Sequence, residues 1–140
     1  MIKRIKYLSR QSFPMTRSEI DEIVSVARVR NAKMGITGAL VVTGNVFFQV
    51  IEGPAAVIDT LFAQISADKR HRDVVCLAVQ PERQERMFPQ WSMERVSLEN
   101  TPEAAAAEEL LQRLVTAKPD ESATLSDELS RLLAAQLRAA

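Results

Sequence analysis

The sequence predicts an α+β protein of ferredoxin-like βαββαβ architecture: a mixed sheet with two helices on one face and C-terminal helices on the other. Three observations carry this. Runs with strand character and stripes of helical period follow one another in the order strand, helix, strand, strand, helix, strand. The two middle strands are separated only by Gly44-Asn45, which makes them a hairpin. The hairpin's second face, read as Leu40, Val42, Phe48 and Val50, is too apolar to be left in water, and two Leu-rich helical stretches follow that could cover it.

Each element has its own warrant. Ile2 to Ser9 alternates as a strand, with Ile5 and Tyr7 on one face and Arg4, Lys6 and Leu8 on the other. Thr16-Arg17-Ser18-Glu19 is a capping box that opens a helix over about 17–31, with Ile20, Ile23, Val24 and Ala27 as its apolar stripe and Asn31 next on that stripe. Met34-Gly35 ends the helix. Thr37 to Thr43 is rich in β-branched residues, and Val46 to Glu52 is the returning strand. Gly53-Pro54 breaks that strand and starts a helix over about 55–66 with the stripe Val57, Ile58, Leu61, Phe62 and Ile65. Val74 to Val79 is a fourth strand, and a short fifth is placed near Trp91 to Val96. Thr101-Pro102-Glu103 starts a helix carrying Leu110, Leu111 and Leu114. After a break at Lys118-Pro119-Asp120, Thr124 to Asp127 is read as the cap of a last helix carrying Leu125, Leu129, Leu132, Leu133 and Leu137.

Composition narrows the function. At 140 residues, 46% hydrophobic and 26% charged, the chain fits one folded domain. Eighteen Lys and Arg balance eighteen Asp and Glu, so no overall field draws it to phosphate backbones or anionic lipid. Neither nucleic acid nor membrane is expected as a partner. Cys76 is the single cysteine, which rules out an intrachain disulfide or a multi-cysteine metal site; in its apolar run it reads as a small buried hydrophobe. No signal-peptide pattern or membrane-spanning stretch is present, and a cytoplasmic protein is expected.

If Tyr7 points toward the first two helices, Phe47, Gln49 and Ile51 can point there too, joined by Asn31. Three polar side chains then meet in an apolar layer, where an unpaired polar group costs about 1–3 kcal/mol. Two accounts fit: they satisfy one another as a structural network, or they edge a planar polar ligand, because an amide both donates and accepts. Catalytic signatures are absent. His71 is the only histidine and has no companions for a metal site, so it reads as a surface or helix-terminal residue; Gly35-Ile36-Thr37-Gly38 is too short to indicate phosphate binding.

Tyr7-Leu8-Ser9, Asn31 with Gly35-Ile36-Thr37-Gly38-Ala39-Leu40, Phe47-Phe48-Gln49-Val50-Ile51-Glu52-Gly53, Asp68-Lys69-Arg70-His71 and Phe88-Pro89-Gln90-Trp91-Ser92-Met93 closely resemble the BLUF family of blue-light sensors that use FAD. The resemblance covers about residues 1–96. It implies a photosensory domain over 1–96; the Leu-bearing helices over 97–140 are then read as an extension that covers the sheet, or in part a dimer surface, and carries output. It further implies that Tyr7 donates an electron and a proton to the excited flavin, that Gln49 links Tyr7 to the ring, and that Asn31 holds the ring's polar edge. Trp91 and Met93 would be the pair that responds to Gln49. Val24 and Ile65 would press on the ring, with Phe47 on the same face as Gln49. Asp68 and His71 would lie near the ribityl side, and Arg28, Arg30, Lys33 and Arg72 would be within reach of phosphates. Ala32 stands where many members have a second asparagine, which leaves more of the edge to Asn31.

By the same resemblance the chain is a non-enzymatic photoreceptor. Its cofactor would be FAD, with FMN or riboflavin acceptable to a fold that grips mainly the ring. Its partner would be a separate, unidentified downstream protein, and homodimerisation is left open. The competing classes are a flavin-independent interaction module that uses the Leu-bearing terminal helices, and a flavoenzyme, which would need open substrate space where Tyr7 and Gln49 crowd the ring.

Overall fold

The computed structural model describes residues 2–83, 85–89, 92–96 and 102–139, with nothing said of the side chains of 82, 83 and 139. Its elements run β1 (Ile2–Gln11), α1 (Arg17–Met34), β2 (Thr37–Thr43), β3 (Val46–Pro54), α2 (Ala55–Ala67), β4 (His71–Arg83), β5 (Glu94–Arg95), α3 (Pro102–Val115) and α4 (Pro119–Ala139). The sheet order is β4-β1-β3-β2-β5. The first four strands are antiparallel to their neighbours and β5 joins β2 in parallel, so the predicted ferredoxin-like mixed sheet is present.

The ends of α1 follow from local chemistry. Thr16 accepts from the Glu19 amide while Glu19 reaches back to the Thr16 amide, which completes the capping box. The helix continues past its last striped residue, Asn31, and ends at Met34-Gly35 as expected, where Gly35 adopts a left-handed φ of 70°. The hairpin turn has a positive φ at Gly44 and none at Asn45, the Gly-first order of a type II′ turn.

That turn corrects one expectation. It pairs Thr43 with Val46, which sets Leu40 opposite Gln49 and Val41 opposite Phe48. Directly opposed residues share a face. Leu40 and Val42 therefore pack toward α1 and α2, and it is Ala39 and Val41 that join Phe48 and Val50 on the far face.

The two faces hold separate cores. Between the sheet and α1 and α2 lie Ile5, Tyr7, Val24, Ala27, Ile36, Leu40, Phe47, Ile51, Ile58, Leu61 and Met93. On the far face Leu8, Val41, Phe48, Val50 and Phe88 meet Leu110, Leu111 and Leu114 of α3 and Leu125, Leu129 and Leu133 of α4, so the terminal helices cover the sheet as expected. The last helix starts earlier than the pattern suggested. Pro119 is its first residue rather than a break before it, and Lys118 O accepts from the Glu121 and Ser122 amides. Proline suits the first helical position because its missing N–H would have had no intrahelical partner there.

The fourth strand departs most from expectation. It extends from His71 to Arg83, and its pairing with β1 slips between Leu8 and Arg10, where Asp73 takes a φ of 52°. An extra residue of this kind re-aims the strand beyond it. As the outer strand, β4 leaves Val75, Val79 and Cys76 exposed, so Cys76 is not the buried hydrophobe its run suggested. The fifth strand is only Glu94–Arg95; Trp91, Leu98 and Thr101 lie outside the described residues.

Candidate functional site

The sheet row Tyr7–Gln49–Leu40 crosses the floor of the layer beneath α1 and α2. Tyr7 is 2% exposed, and its hydroxyl donates to Gln49 Oε1. With its oxygen taken, Gln49 directs Nε2 at Met93 Sδ, 3.3 Å away. Thioether sulfur is a weak acceptor, so this second bond is the soft end of the chain. Burial pushes the Tyr7 phenol well above its ordinary value; Arg30 opposes the shift and Asp68 adds to it.

A cavity of about 390 Å³ opens over this row. Aliphatic walls come from Ile23, Val24 and Ala27 of α1 and Leu61 and Ile65 of α2, with Leu40, Phe47 and Met93 from the sheet side. Polar groups gather in Tyr7, Gln49, Arg30, Gln64, Asp68, Arg70 and His71. Asp68 is pulled down to about 2, chiefly by hydrogen bonding to the Arg70 guanidinium, so the mouth carries a fixed carboxylate and cation. His71, brought round by the β4 bulge, donates from Nε2 to Ile65 O, which only accepts. In the neutral ring that leaves Nδ1, 2.9 Å from the Ser9 oxygen, to accept from the hydroxyl. Its ring meets Tyr7 edge-on at 6.4 Å. Of the two expectations for this histidine, surface or helix-terminal, the second holds: it caps the end of α2 and braces β1 and Tyr7 as well.

The structure brings together Tyr7, Val24, Phe47, Gln49, Ile65, Asp68, His71 and Met93 around one cavity. Asn31 and Arg28 lie outside its lining. Asn31 is fully buried, donating from Nδ2 to Ser92 O at 2.7 Å and accepting from Arg30 at 3.2 Å. Arg28 donates to Met93 O at 2.7 Å and pairs with Glu94 at 3.2 Å. Both therefore hold the segment around Met93. Trp91 lies outside the described residues. Arg30 and Lys33 line an adjoining cleft on α1, while Arg72 pairs with Asp73. The pattern missed Leu40, Leu61, Gln64 and Arg70; the hairpin register would have found Leu40, and the α2 stripe already contained Leu61.

The residues present fit a flat, mainly apolar ring with a polar edge. Branched aliphatic side chains face each other from two helices, and a tyrosine-bonded amide lies at one margin. Fold and site together define a small α+β domain with a ligand-sized cavity over a hydrogen-bonded Tyr–Gln pair. The chain belongs to the BLUF family, "Sensors of blue-light using FAD", whose model matches residues 2–94. It is a flavin-binding blue-light photosensor.

Among relatives, it is 34% identical over 115 residues to the photoactivated adenylate cyclase subunit beta of Euglena gracilis, covering 81% of this chain and 13% of that protein. The chain spans about a tenth of the length of the curated relatives it matches. Among solved structures, it is 38% identical to BlrB, a BLUF protein in its dark state, with a TM-score of 0.78 and 96% of each chain covered. Klebsiella pneumoniae BlrP1, solved with FMN and cyclic diGMP, is 33% identical with a TM-score of 0.67, covering 80% of this chain and 30% of that one. The matched domain is a photosensor fold and not itself catalytic. Among the described residues no helix is long and apolar enough to cross a membrane.

Proposed function

We propose that this chain senses blue light through a switch made of Tyr7, Gln49 and Met93, and signals to a separate partner protein through its C-terminal helices. The observation that carries the reading is the chain of two hydrogen bonds from the Tyr7 hydroxyl through the Gln49 amide to the Met93 sulfur, at the wall of an apolar cavity. A flavin held in this cavity would supply the blue absorption and an electron acceptor, and Tyr7 is the residue placed to give up the electron. The Tyr7 hydroxyl proton has Gln49 Oε1 as its acceptor. Gln49 answers by rotation, tautomerisation or both, and releases its weak bond to Met93. Electron and proton then return to Tyr7, so nothing is consumed and the altered amide relaxes in the dark.

The remaining site residues have holding roles. Val24 and Ile65 face the ring from the two helices, Phe47 backs it, and Asp68, Arg70 and His71 edge the mouth. Asn31 and Arg28 act by fixing Ser92 and Met93. FAD is the cofactor proposed, with FMN or riboflavin also accepted, because the groups lining the cavity address the ring. Residues 1–96 form the photosensory unit and 97–140 the output extension.

The test is Gln49→Leu in the flavin-loaded protein. Leucine keeps the volume and removes both hydrogen bonds, so the light-induced absorption shift should disappear while flavin remains bound. A variant with an unchanged shift would overturn the reading.

A further inference from the structure

On the far face of the sheet, one row beyond Gln49's neighbours, Arg4, Glu52 and Thr37 stand side by side on β1, β3 and β2. Glu52 is fully buried, an expensive place for a carboxylate unless donors surround it. They do. Arg4 Nε reaches Oε2 at 2.9 Å, and Thr37 Oγ1 reaches Oε1 at 3.1 Å. The other two donors belong to the segment after β4: the Met87 amide at 2.9 Å and the Phe88 amide at 2.5 Å.

Two arginines extend the attachment. Arg4 also donates to Glu85 O at 3.2 Å and to Gln80 Oε1 at 2.8 Å. Arg86 lies across the outside, donating to Thr37 Oγ1 at 2.9 Å, Glu52 O at 3.3 Å and Gly35 O at 2.7 Å. Residues 85–89 have no strand or helix of their own to fix them, so side-chain bonds to Glu52 and its neighbours do that work. Phe88, fully buried in the far core, is seated by the same attachment.

This segment leads to the site. Ser92 lies four positions after Phe88, a reach of at most about 14 Å. Where Phe88 is fastened therefore limits where Ser92 and Met93 can lie. From the other side Asn31 and Arg28 hold the Ser92 and Met93 carbonyls. The chain around Met93 is thus held from α1 at Ser92 and Met93 and from β3 at Met87 and Phe88, and β3 is the strand that carries Gln49 three residues before Glu52.

We propose that Glu52 is a positioning residue for the light reaction: its buried carboxylate fastens residues 85–89 to β3 and so sets Met93 against Gln49. The inference rests on the Tyr7–Gln49–Met93 reading above. Charge-assisted bonds from two backbone amides make a stiff attachment, and glutamine cannot replace it, because one acceptor becomes a donor facing donors.

The experiment measures dark recovery after blue light in the flavin-loaded full chain, for Glu52→Gln alone and combined with Met93→Ala. Glu52→Gln should change the recovery rate by about tenfold, the scale of one lost charge-assisted hydrogen bond. In the Met93→Ala background the same substitution should leave recovery unchanged, since the group it positions is gone. A merely structural Glu52 would lower the melting temperature with recovery untouched, or would shift recovery equally in both backgrounds; either result overturns the inference. If Glu52→Gln does not fold, Arg86→Ala decides in its place, with a several-fold change expected in the wild-type background and none with Met93→Ala. A wild-type protein without any light-induced shift would instead overturn the switch reading itself.

Discussion

Tyr7 shows how much one buried hydroxyl can be asked to do. In the proposed switch it releases a proton in the light and keeps it in the dark, and burial, which raises its pKa, favours the second. The sign of the pH dependence follows. Below 10.0, the ordinary value, Tyr7 is neutral both folded and unfolded and adds no slope. Above it the unfolded chain sheds a proton that the folded chain retains, so stability falls as pH rises. The chain has one tyrosine, so tyrosinate absorbance reports on Tyr7 alone. We expect no tyrosinate signal until alkaline unfolding, and Tyr7→Phe should lose less stability than wild type over the same pH range. Tyrosinate appearing near pH 10 in the folded protein would contradict the burial account. At this scale the pattern was informative: strand parity put Tyr7 and Gln49 on one face, and helical period put Asn31 on the inward stripe. It could not show that Asn31 spends its amide on Ser92, because that partner is 61 residues away.

Among elements, β2 and β3 carry the tightest constraint. A Cβ at Gly38 would lie 2.1 Å from Val50 O, on backbone that cannot step aside. Gly38→Ala should therefore cost about 1–3 kcal/mol through overpacking, read as a lowered denaturant midpoint. The Gly-Ile-Thr-Gly run is accounted for by this close approach and by the left-handed cap at Gly35, with no need of a phosphate. Leu40 was misplaced although the two-residue turn contained the answer: pairing Thr43 with Val46 sets Leu40 opposite Gln49. The β4 bulge is not legible, since aspartate tolerates a left-handed φ better than most residues but adopts it too rarely to predict one at Asp73. Sequence alone therefore leaves His71 as a surface or helix-terminal residue, without its contact to Ser9.

Across the whole molecule, one sheet separates the cavity from the terminal helices, so the proposed output must cross it. Tyr7 faces the cavity, while Lys6, its neighbour on β1, is fully buried on the far face and donates to Asp127 of α4 at 3.1 Å. A change around Gln49 and Met93 has a short path to the covering helices, though a path becomes coupling only where an element has two states. Hydrogen exchange in dark and lit samples tests it. Protection should change within residues 92–96 and in α3 or α4, and equal protection throughout would remove the C-terminal helices as the output surface.

Pattern and periodicity set the order of elements, the inward faces of β1, β3, α1 and α2, and the residue types of the site, because those are local properties of period 2 and 3.6. Assembly in three dimensions chose the rest: the strand order, the bulge that turns His71 toward Ser9, the burial of Glu52 among its donors and the exposure of Cys76. The physical reason is separation along the chain. Tyr7 meets Gln49 across 42 residues, Gln49 meets Met93 across 44, and Arg4 meets Glu52 across 48. Such pairs form only when the whole sheet closes at once, and no local preference specifies them.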